Sequence, residues 1–224
     1  MKKIIFIPVL LIAFSAFSQN CDGLYYLQNN KTVEMSITNK KGKESGKITY
    51  TVSDVQNSGG TVSSTVNSEF TDSKGKSVSK AINNIKCTGG VMMIDMKMFV
   101  PSAQQEQMGT VSAGGGEAYL EYPSVIKEGD VLKDGQFSMD FKMQSGIGAH
   151  LNVDITNRKV QGKESVTTPA GTWECFKITY HSKVVIKIGI GIPVNADVTE
   201  WYAPSFGTVK TESGGGITEI TSVK

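Results

Sequence analysis

The chain has 224 residues with 23 basic and 21 acidic side chains, which gives a formal net charge of +2. Without Lys2 and Lys3, which lie in the leader segment described next, 21 basic residues face 21 acidic ones, and Arg158 is the one arginine. Nucleic acid is therefore excluded as a partner, because proteins that bind polyanions have a basic stripe with groups that contact phosphate.

The first residues, 1–18, predict a cleavable secretory signal. Two lysines precede an apolar run from Ile4 to Phe14, and Ala16 and Ser18 are small residues of the kind that a leader peptidase accepts. The run is shorter than the about 20 apolar residues of a spanning helix, so we expect no transmembrane segment. We expect a mature chain that begins at Gln19 and is exported to the periplasm or the cell exterior.

Three cysteines, Cys21, Cys87 and Cys175, enter an oxidising compartment, where one disulfide is expected and one thiol is left over. Connectivity does not follow from sequence alone; we favour Cys21 with Cys87, because both lie beside predicted turns, and we interpret Cys175 as a buried thiol. A lipoprotein signal places small residues directly before the modified cysteine. Ser18-Gln19-Asn20 precede Cys21 instead, so we do not expect a lipid anchor there.

Apolar and polar residues alternate along most of the mature chain, which is typical of half-buried strands. Val62, Val66 and Phe70 share one face of a predicted strand, and Ile48 begins the same pattern in the strand before it. The residues Asn57-Ser58-Gly59-Gly60 tolerate positive φ angles, so we expect these two strands to form a hairpin.

The segment from Val91 to Val100 is predicted to be a strand with a soft apolar face. Methionine is flexible and polarizable, so such a face either fills gaps in a core or lines a cavity for apolar guests. The face consists of Met92, Ile94, Met96, Met98 and Val100. Asp95 lies on the opposite face, where we expect it to reach the surface.

Pro101 ends this strand, and residues 102–108 are predicted to form one short helix that is capped by Ser102. Residues 113–116 are too rich in glycine for regular structure and are predicted to form a loop.

Between Phe176 and Ile192, every even position except Ser182 is apolar. As one straight strand this register would extend over about 50 Å, so a bend is needed. Gly189 and Gly191, with the following proline, predict where the bend lies.

These patterns predict a mainly β fold: about a dozen strands with short turns and at most one short helix, in a single antiparallel meander. A sheet of this kind must curl to bury one face and protect its edges, so we expect an open or half barrel. No linker interrupts the pattern, so we expect a single domain over residues 19–224.

Two segments resemble the uncharacterised secreted bacterial proteins called TapB-like, a family of unknown function. Val166 to Ile178 reads VTTPAGTWECFKI, and Trp201 to Lys210 reads WYAPSFGTVK. The resemblance extends through Lys127 to Asp130 and Ile155 to Val160. It implies an exported β-domain with no assigned enzyme activity and no catalytic residues. The curled sheet also resembles, more loosely, the periplasmic lipoprotein carriers.

Catalytic and cofactor-binding motifs are missing from the sequence. It has no GxSxG, HExxH, P-loop, GxGxxG or EF-hand pattern, so we expect no enzyme, no cofactor and no metal site. The two histidines, His150 and His181, are expected in ordinary surface positions. Asp95 and Glu200 are the acids of most interest, and both are expected at the surface.

We therefore expect a non-catalytic exported domain that binds a lipid or another apolar molecule. The residues predicted to line the groove are Met92, Ile94, Met96, Met98, Ile186, Ile188 and Trp201. The alternative is a structural or surface-assembly module whose core is filled by its own side chains, and a third is a hydrolase with an unfamiliar site. A large apolar cavity would favour binding, and dense packing would favour the structural module. Oligomeric state and ligand identity do not follow from the sequence.

Overall fold

In the computed structural model, the described residues are 21, 23–100, 110–111, 118–143 and 145–224. The predicted signal, the helix predicted at 102–108 and the loop predicted at 113–116 lie outside the described residues. The described residues form thirteen β-strands and two short 3₁₀ turns, Tyr25–Leu27 and Met96–Phe99. The strands are β1 (Thr32–Asn39), β2 (Glu44–Ser58), β3 (Thr61–Asp72), β4 (Ser77–Thr88), β5 (Val91–Asp95), β6 (Thr110–Val111), β7 (Tyr119–Pro123), β8 (Gly135–Lys142), β9 (Gly148–Thr168), β10 (Gly171–Ile188), β11 (Ile190–Ala203), β12 (Gly207–Ser213) and β13 (Gly216–Val223).

All of these strands belong to one sheet. Strands β1 to β5 pair in chain order and β7 continues that half, while β8 to β13 pair in chain order in the other half. The antiparallel pairing of β1 with β13 joins the two halves. The two-residue strand β6 pairs with β4 in parallel, and the remaining twelve strands form an antiparallel path.

The two edge strands, β7 and β8, lie at opposite ends of this path but follow one another in the sequence, so the sheet curls back on itself. The segment that connects β7 to β8 is bonded to β9. In it, Gly129 N–H donates to the Val160 carbonyl and Leu132 N–H donates to the Arg158 carbonyl, both at 2.9 Å. A side chain at Gly135 would meet Leu120 Cδ2 at 2.5 Å, so the start of β8 lies directly against β7. The result is a nearly closed barrel, which confirms the predicted curled antiparallel sheet of about a dozen strands.

Both predicted reversals of the chain are confirmed. Gly59 and Gly60 have φ angles of 59° and 79° and join Ser58 to Thr61 in a two-residue hairpin turn. This is the backbone twist that suits tight hairpins, and it favours glycine at both positions. Gly189, with φ 77°, reverses the chain so that Ile188 pairs with Ile190. The isoleucine-rich run is therefore a hairpin.

The methionine-rich segment is shorter as a strand than predicted. Strand β5 ends at Asp95, and Met96–Phe99 form a 3₁₀ turn. The Asp95 carboxylate accepts the N–H of Lys97 at 3.0 Å and the N–H of Asn84 at 3.2 Å, so it caps the turn. Asp95 is 4% exposed, and the prediction that it reaches the surface was wrong. An acid that competes for nearby backbone N–H groups ends the strand here.

An N-terminal segment covers one end of the barrel. Cys21 forms a disulfide with Cys87, the pairing that the sequence analysis favoured, with 5.7 Å between the Cα atoms. Tyr26 and Leu27 are buried in the core, and the Tyr26 carbonyl accepts the hydroxyl of Ser64. The disulfide therefore fixes this segment to β4 over the end of the core.

Candidate functional site

The predicted ligand-lining residues on β5 and the following turn lie inside the core. Met92 is 2% exposed and Met96 is fully buried. The hydroxyl of Tyr202 donates to Met92 Sδ at 3.6 Å. The Met96 sulfur packs against Gly135 so closely that a Cβ added to this glycine would lie 2.9 Å from it. Ile94 is buried and Met98 is partly buried in the same cluster. Around Met92 and Met96, the protein's own atoms occupy the space that a ligand would need.

The predicted lining residues on β10 lie in a different setting. On β10, the face that contains the buried Tyr180 and Val184 continues to Ile186 and Ile188, and each of these residues pairs with a residue of β11. Exposure rises along this face, from 2% at Val184 to 45% at Ile188. Val194, which pairs with Val184 from β11, is also 45% exposed. We call Val184, Ile186, Ile188 and Val194 the apolar strip; it connects the core with solvent.

Trp201 does not face this strip. It pairs with Lys177, whereas its neighbour Glu200 pairs with the buried Ile178, so Trp201 lies on the outer surface of the sheet. The Lys210 and Lys177 ammonium groups lie 5.0 and 5.7 Å from its ring centroid, and its indole N–H donates to Glu164. These neighbours reduce its exposure to 8%. The structure does not bring Trp201 together with the methionines and isoleucines.

Two residues with ionisable side chains lie deep in the core, and the sequence predicted the burial of neither. Arg158 on β9 and Glu200 on β11 have no exposed surface. Tyr122 on β7 links them: its hydroxyl donates to the Glu200 carboxylate at 3.0 and 3.1 Å, and the Arg158 guanidinium lies 4.5 Å from its ring centroid. We call Arg158, Tyr122 and Glu200, with Thr208 and Tyr202, the buried polar cluster.

The remaining members of this cluster satisfy and enclose Glu200. The Thr208 hydroxyl donates to Glu200 Oε1, and the Tyr202 ring stacks on Tyr122 with 4.5 Å between centroids. Burial raises the pKa of Glu200, against the lowering effects of the Thr208 hydroxyl, the Arg158 charge and the Tyr122 hydroxyl. Burial, with the nearby Glu200 charge, also raises the pKa of Tyr122 well above its ordinary value. Burial therefore outweighs the three groups that favour the ionised Glu200 carboxylate.

Arg158 joins the two edges of the barrel. Its Nη1 donates to the carbonyl of Glu121 on β7 at 3.1 Å and to the carbonyl of Lys133, just before β8, at 2.7 Å. Its Nε and Nη2 groups have no hydrogen-bond partner among the described residues. One side chain therefore bridges the gap between β7 and β8.

The prediction that Glu200 reaches the surface was wrong. Glu200 stands at an even position, in register with the apolar residues of β10, and this placement already indicated an inward direction. An acid is rarely buried without partners, which favours the surface as long as the partners are unknown. The partner tyrosine on β7 is 78 positions away in sequence, and nothing local indicates that pairing.

An open groove of about 660 Å³ lies on the outer surface of β9 and β10. Gly162 on β9 pairs with Lys177 on β10, and because glycine has no side chain it leaves room for the groove beside Lys177. The lining of the groove is polar and includes acidic as well as basic residues. It consists of Glu128, Gln161, Gly162, Lys163, Glu164, Lys177 and Thr179. The balance of charge in this groove gives it no strong preference for an ionic ligand.

The histidines lie at the surface in carboxylate pairs. His150 Nδ1 is 2.7 Å from Asp140, and His181 Nδ1 is 3.0 Å from Asp197. Both aspartates are at least 90% exposed, so water screens each pair. Among the described residues, no group of three or more histidine, cysteine or acidic side chains could hold a metal. Burial raises the pKa of the free thiol of Cys175 to about 12, so this cysteine is a poor nucleophile.

Across the part of the chain that the structure describes, no helix has the length and apolar character needed to cross a membrane. The fold and its interior define a class: a mainly β, nearly closed antiparallel barrel with a buried polar cluster. A family model described as DUF3108-like matches residues 28–222, and the chain belongs to that family.

Two solved structures share the fold. One is described as a candidate exported protein with a YmcC-like fold from Bacteroides fragilis NCTC 9343; it has 18% sequence identity and a TM-score of 0.74, over 88% of this chain and 96% of that one. The other is described as a candidate lipoprotein from Parabacteroides distasonis ATCC 8503, with 19% identity and a TM-score of 0.74, over 90% of this chain and 99% of that one. At these identities the likeness concerns the fold. No curated protein matches the chain.

Proposed function

We propose that this protein is an exported, non-catalytic barrel module that binds an amphiphilic small molecule along its apolar strip. The observation that supports this proposal is the continuous change in exposure on one face of β10, from 2% at Val184 to 45% at Ile188. An apolar chain laid along this face would cover isoleucine surface that water now contacts. Burial of apolar surface contributes roughly 25 cal/mol per Å².

The proposal that the module is not an enzyme has its own support. The two histidines form exposed pairs with aspartates, and Glu200 is enclosed within the buried polar cluster with its oxygens bound by Tyr122 and Thr208. A general acid must reach the atom that it protonates within hydrogen-bond distance. Glu200 instead uses its hydrogen bonds to hold β7, β11 and β12 together.

Export, without an anchor at Cys21, is part of the same proposal. The structural neighbours are described as an exported protein and a lipoprotein, and the chain begins with a predicted signal. The sulfur of Cys21 is bonded to Cys87, and a sulfur in a disulfide is not free to form the thioether of a lipid anchor. We also propose that the TapB-like resemblance reflects a narrower relationship within the same group of exported β-domains.

A structural or surface-assembly module remains the second candidate. Its support is the dense packing around Met92 and Met96, where neighbouring side chains fill the space that a guest would need. In that function the apolar strip would contact another protein instead of a small amphiphile.

Titration of the exported protein with a dansyl-labelled fatty acid distinguishes the two functions. We expect saturable binding with a blue shift of the dansyl emission, and a loss of affinity of about tenfold in I186S/I188S because two apolar contacts are removed. The matched control is V125S/V131S, which changes two side chains that are 74% and 76% exposed and lie outside the strip. Absence of saturable binding, or equal binding by both double variants, would contradict the proposal and favour the structural module.

A further inference from the structure

Two hairpins at the end of the sheet opposite the Cys21–Cys87 disulfide expose an unusual set of side chains. Strand β9 pairs with both β8 and β10, so the turn after β8 lies beside the turn at Gly189. Ile147, Ile188 and Ile190 are 53%, 45% and 88% exposed there. Exposed aliphatic groups on neighbouring turns favour contact with another molecule or a membrane.

Within the two hairpin segments, the full charges are positive. Residues 141–151 and 184–196 contain no acidic residue, and their only full cations are Lys142 and Lys187, both exposed. Asp140, two residues before Lys142, is 90% exposed and lies 2.7 Å from His150 Nδ1. We call Lys142, Ile147, Lys187, Ile188 and Ile190 the distal tip.

A second copy of the chain fits the distal tip poorly. From Ile190 to Asp197, β11 pairs with β10 but has no partner from β12, whose pairing begins at Val198. That free edge contains Pro193, which has no N–H for a new strand ladder, and prolines on edges oppose strand addition. Two tips placed together would also bring Lys142 and Lys187 near their own copies.

We propose that the distal tip docks on an anionic lipid bilayer. Ile147, Ile188 and Ile190 enter the outer part of the acyl region, and Lys142 and Lys187 contact the negatively charged headgroups. Lysines close to an anionic membrane each contribute to binding, and salt screens that contribution. This inference goes beyond the proposed function, since it concerns the attachment of the whole molecule to a surface and not the capture of a soluble amphiphile.

Vesicle flotation tests the inference with the processed, exported protein, after intact-mass measurement has shown it to be free of acyl groups. We expect the protein to float with vesicles of phosphatidylglycerol and phosphatidylethanolamine, and much less with phosphatidylcholine vesicles or at high salt. I147S/I190S should weaken binding about tenfold, because two exposed aliphatic anchors are lost. K142Q/K187Q should weaken it at least about fivefold. V125S/V131S and K40Q/K41Q, which change exposed residues elsewhere, should bind like the wild type.

Three results would overturn the inference. They are absence of binding to anionic vesicles, equal binding by the wild type and I147S/I190S, and a dimer seen by light scattering that I147S/I190S converts to a monomer. The last would identify a second copy as the occupant. The fatty-acid titration uses Ile186 and Ile188 and needs no vesicles. Saturable binding of the dansyl probe without flotation would therefore reject membrane docking and leave the proposed function intact.

Discussion

At the residue scale, Glu200 shows how a buried acid is tolerated in an apolar core. It accepts hydrogen bonds from Tyr122 and Thr208, and Arg158 lies in the same buried polar cluster. These groups lower the pKa of the carboxyl, but burial outweighs them and the pKa is raised. Burial disfavours the charged form of a carboxyl, which is why the pKa rises despite these partners.

The raised pKa predicts how stability depends on pH. Below the ordinary carboxyl value of 4.5, Glu200 is protonated in both the folded and the unfolded state. As the pH rises, the unfolded chain ionises first, and the folded protein loses stability until the pH has passed the folded pKa. This single group changes the free energy of unfolding by at most about 1.4 kcal/mol per pH unit.

The variant E200Q should remove this dependence. We expect the difference in melting temperature between E200Q and the wild type to shift in favour of E200Q as the pH rises from 4.5. Thermal unfolding followed by circular dichroism across that range measures it, and E174Q, which alters an exposed acid on β10, is the control. A difference that stays constant with pH would show that Glu200 does not titrate above the ordinary carboxyl range.

At the element scale, the gap between β7 and β8 is the place where the barrel depends on side chains. Arg158 replaces a missing strand pairing there, since its Nη1 binds the carbonyls of Glu121 and Lys133. Arginine suits this position because a single guanidinium nitrogen has two N–H groups for two acceptors, while the flat group stacks on the Tyr122 ring. The only arginine of the chain therefore has a structural task.

Replacement of Arg158 should weaken this gap selectively. In R158M the two carbonyls lose their donor and the charge that opposes Glu200 disappears, so we expect a loss of about 3 kcal/mol in the free energy of unfolding. Urea denaturation measures this loss. Amide hydrogen exchange should rise first in β7 and β8. K159M, beside it on the exposed face, should change stability by less than about 0.5 kcal/mol. Equal stability of R158M and K159M would contradict this role.

Local sequence patterns predicted individual strands and turns well. The glycine pair before Thr61 and the single glycine before Ile190 fixed two hairpins, because their φ angles are positive. The pattern failed at Asp95, where the side chain binds backbone N–H groups and ends the strand. The alternating pattern predicts that the strand continues past Asp95, because the pattern depends only on which side chains are apolar. It does not show that the Asp95 carboxylate binds backbone N–H groups.

At the scale of the whole molecule, alternation predicted a curled antiparallel sheet but not the contacts that close it. The pairing of β1 with β13 joins the two ends of the chain, and the buried polar cluster draws residues from β7, β9, β11 and β12. These contacts link positions far apart in sequence. A single chain gives no local signal for them, so Glu200 was wrongly predicted to reach the surface and no structural role was predicted for Arg158.

The predicted lining residues are separated in the structure for the same reason. Ile186 and Ile188 lie on the apolar strip, where the proposed ligand would bind, because the register of β10 continues past the covered part of the barrel. Met92 and Met96 share that alternating pattern but lie in the packed interior. Periodicity distinguishes the inner from the outer face of a strand. It does not show which residues of the inner face are buried by the rest of the protein and which are exposed.

The central claim is that the exported barrel holds an amphiphile on the apolar strip. Native mass spectrometry of the protein purified from its host without detergent tests it most directly. We predict a population heavier than the processed chain, whose extra mass dissociates on gentle activation and is recovered by organic extraction, and which is reduced in I186S/I188S but not in V125S/V131S. A single species at the mass of the processed polypeptide, in both the wild type and the variants, would contradict the claim.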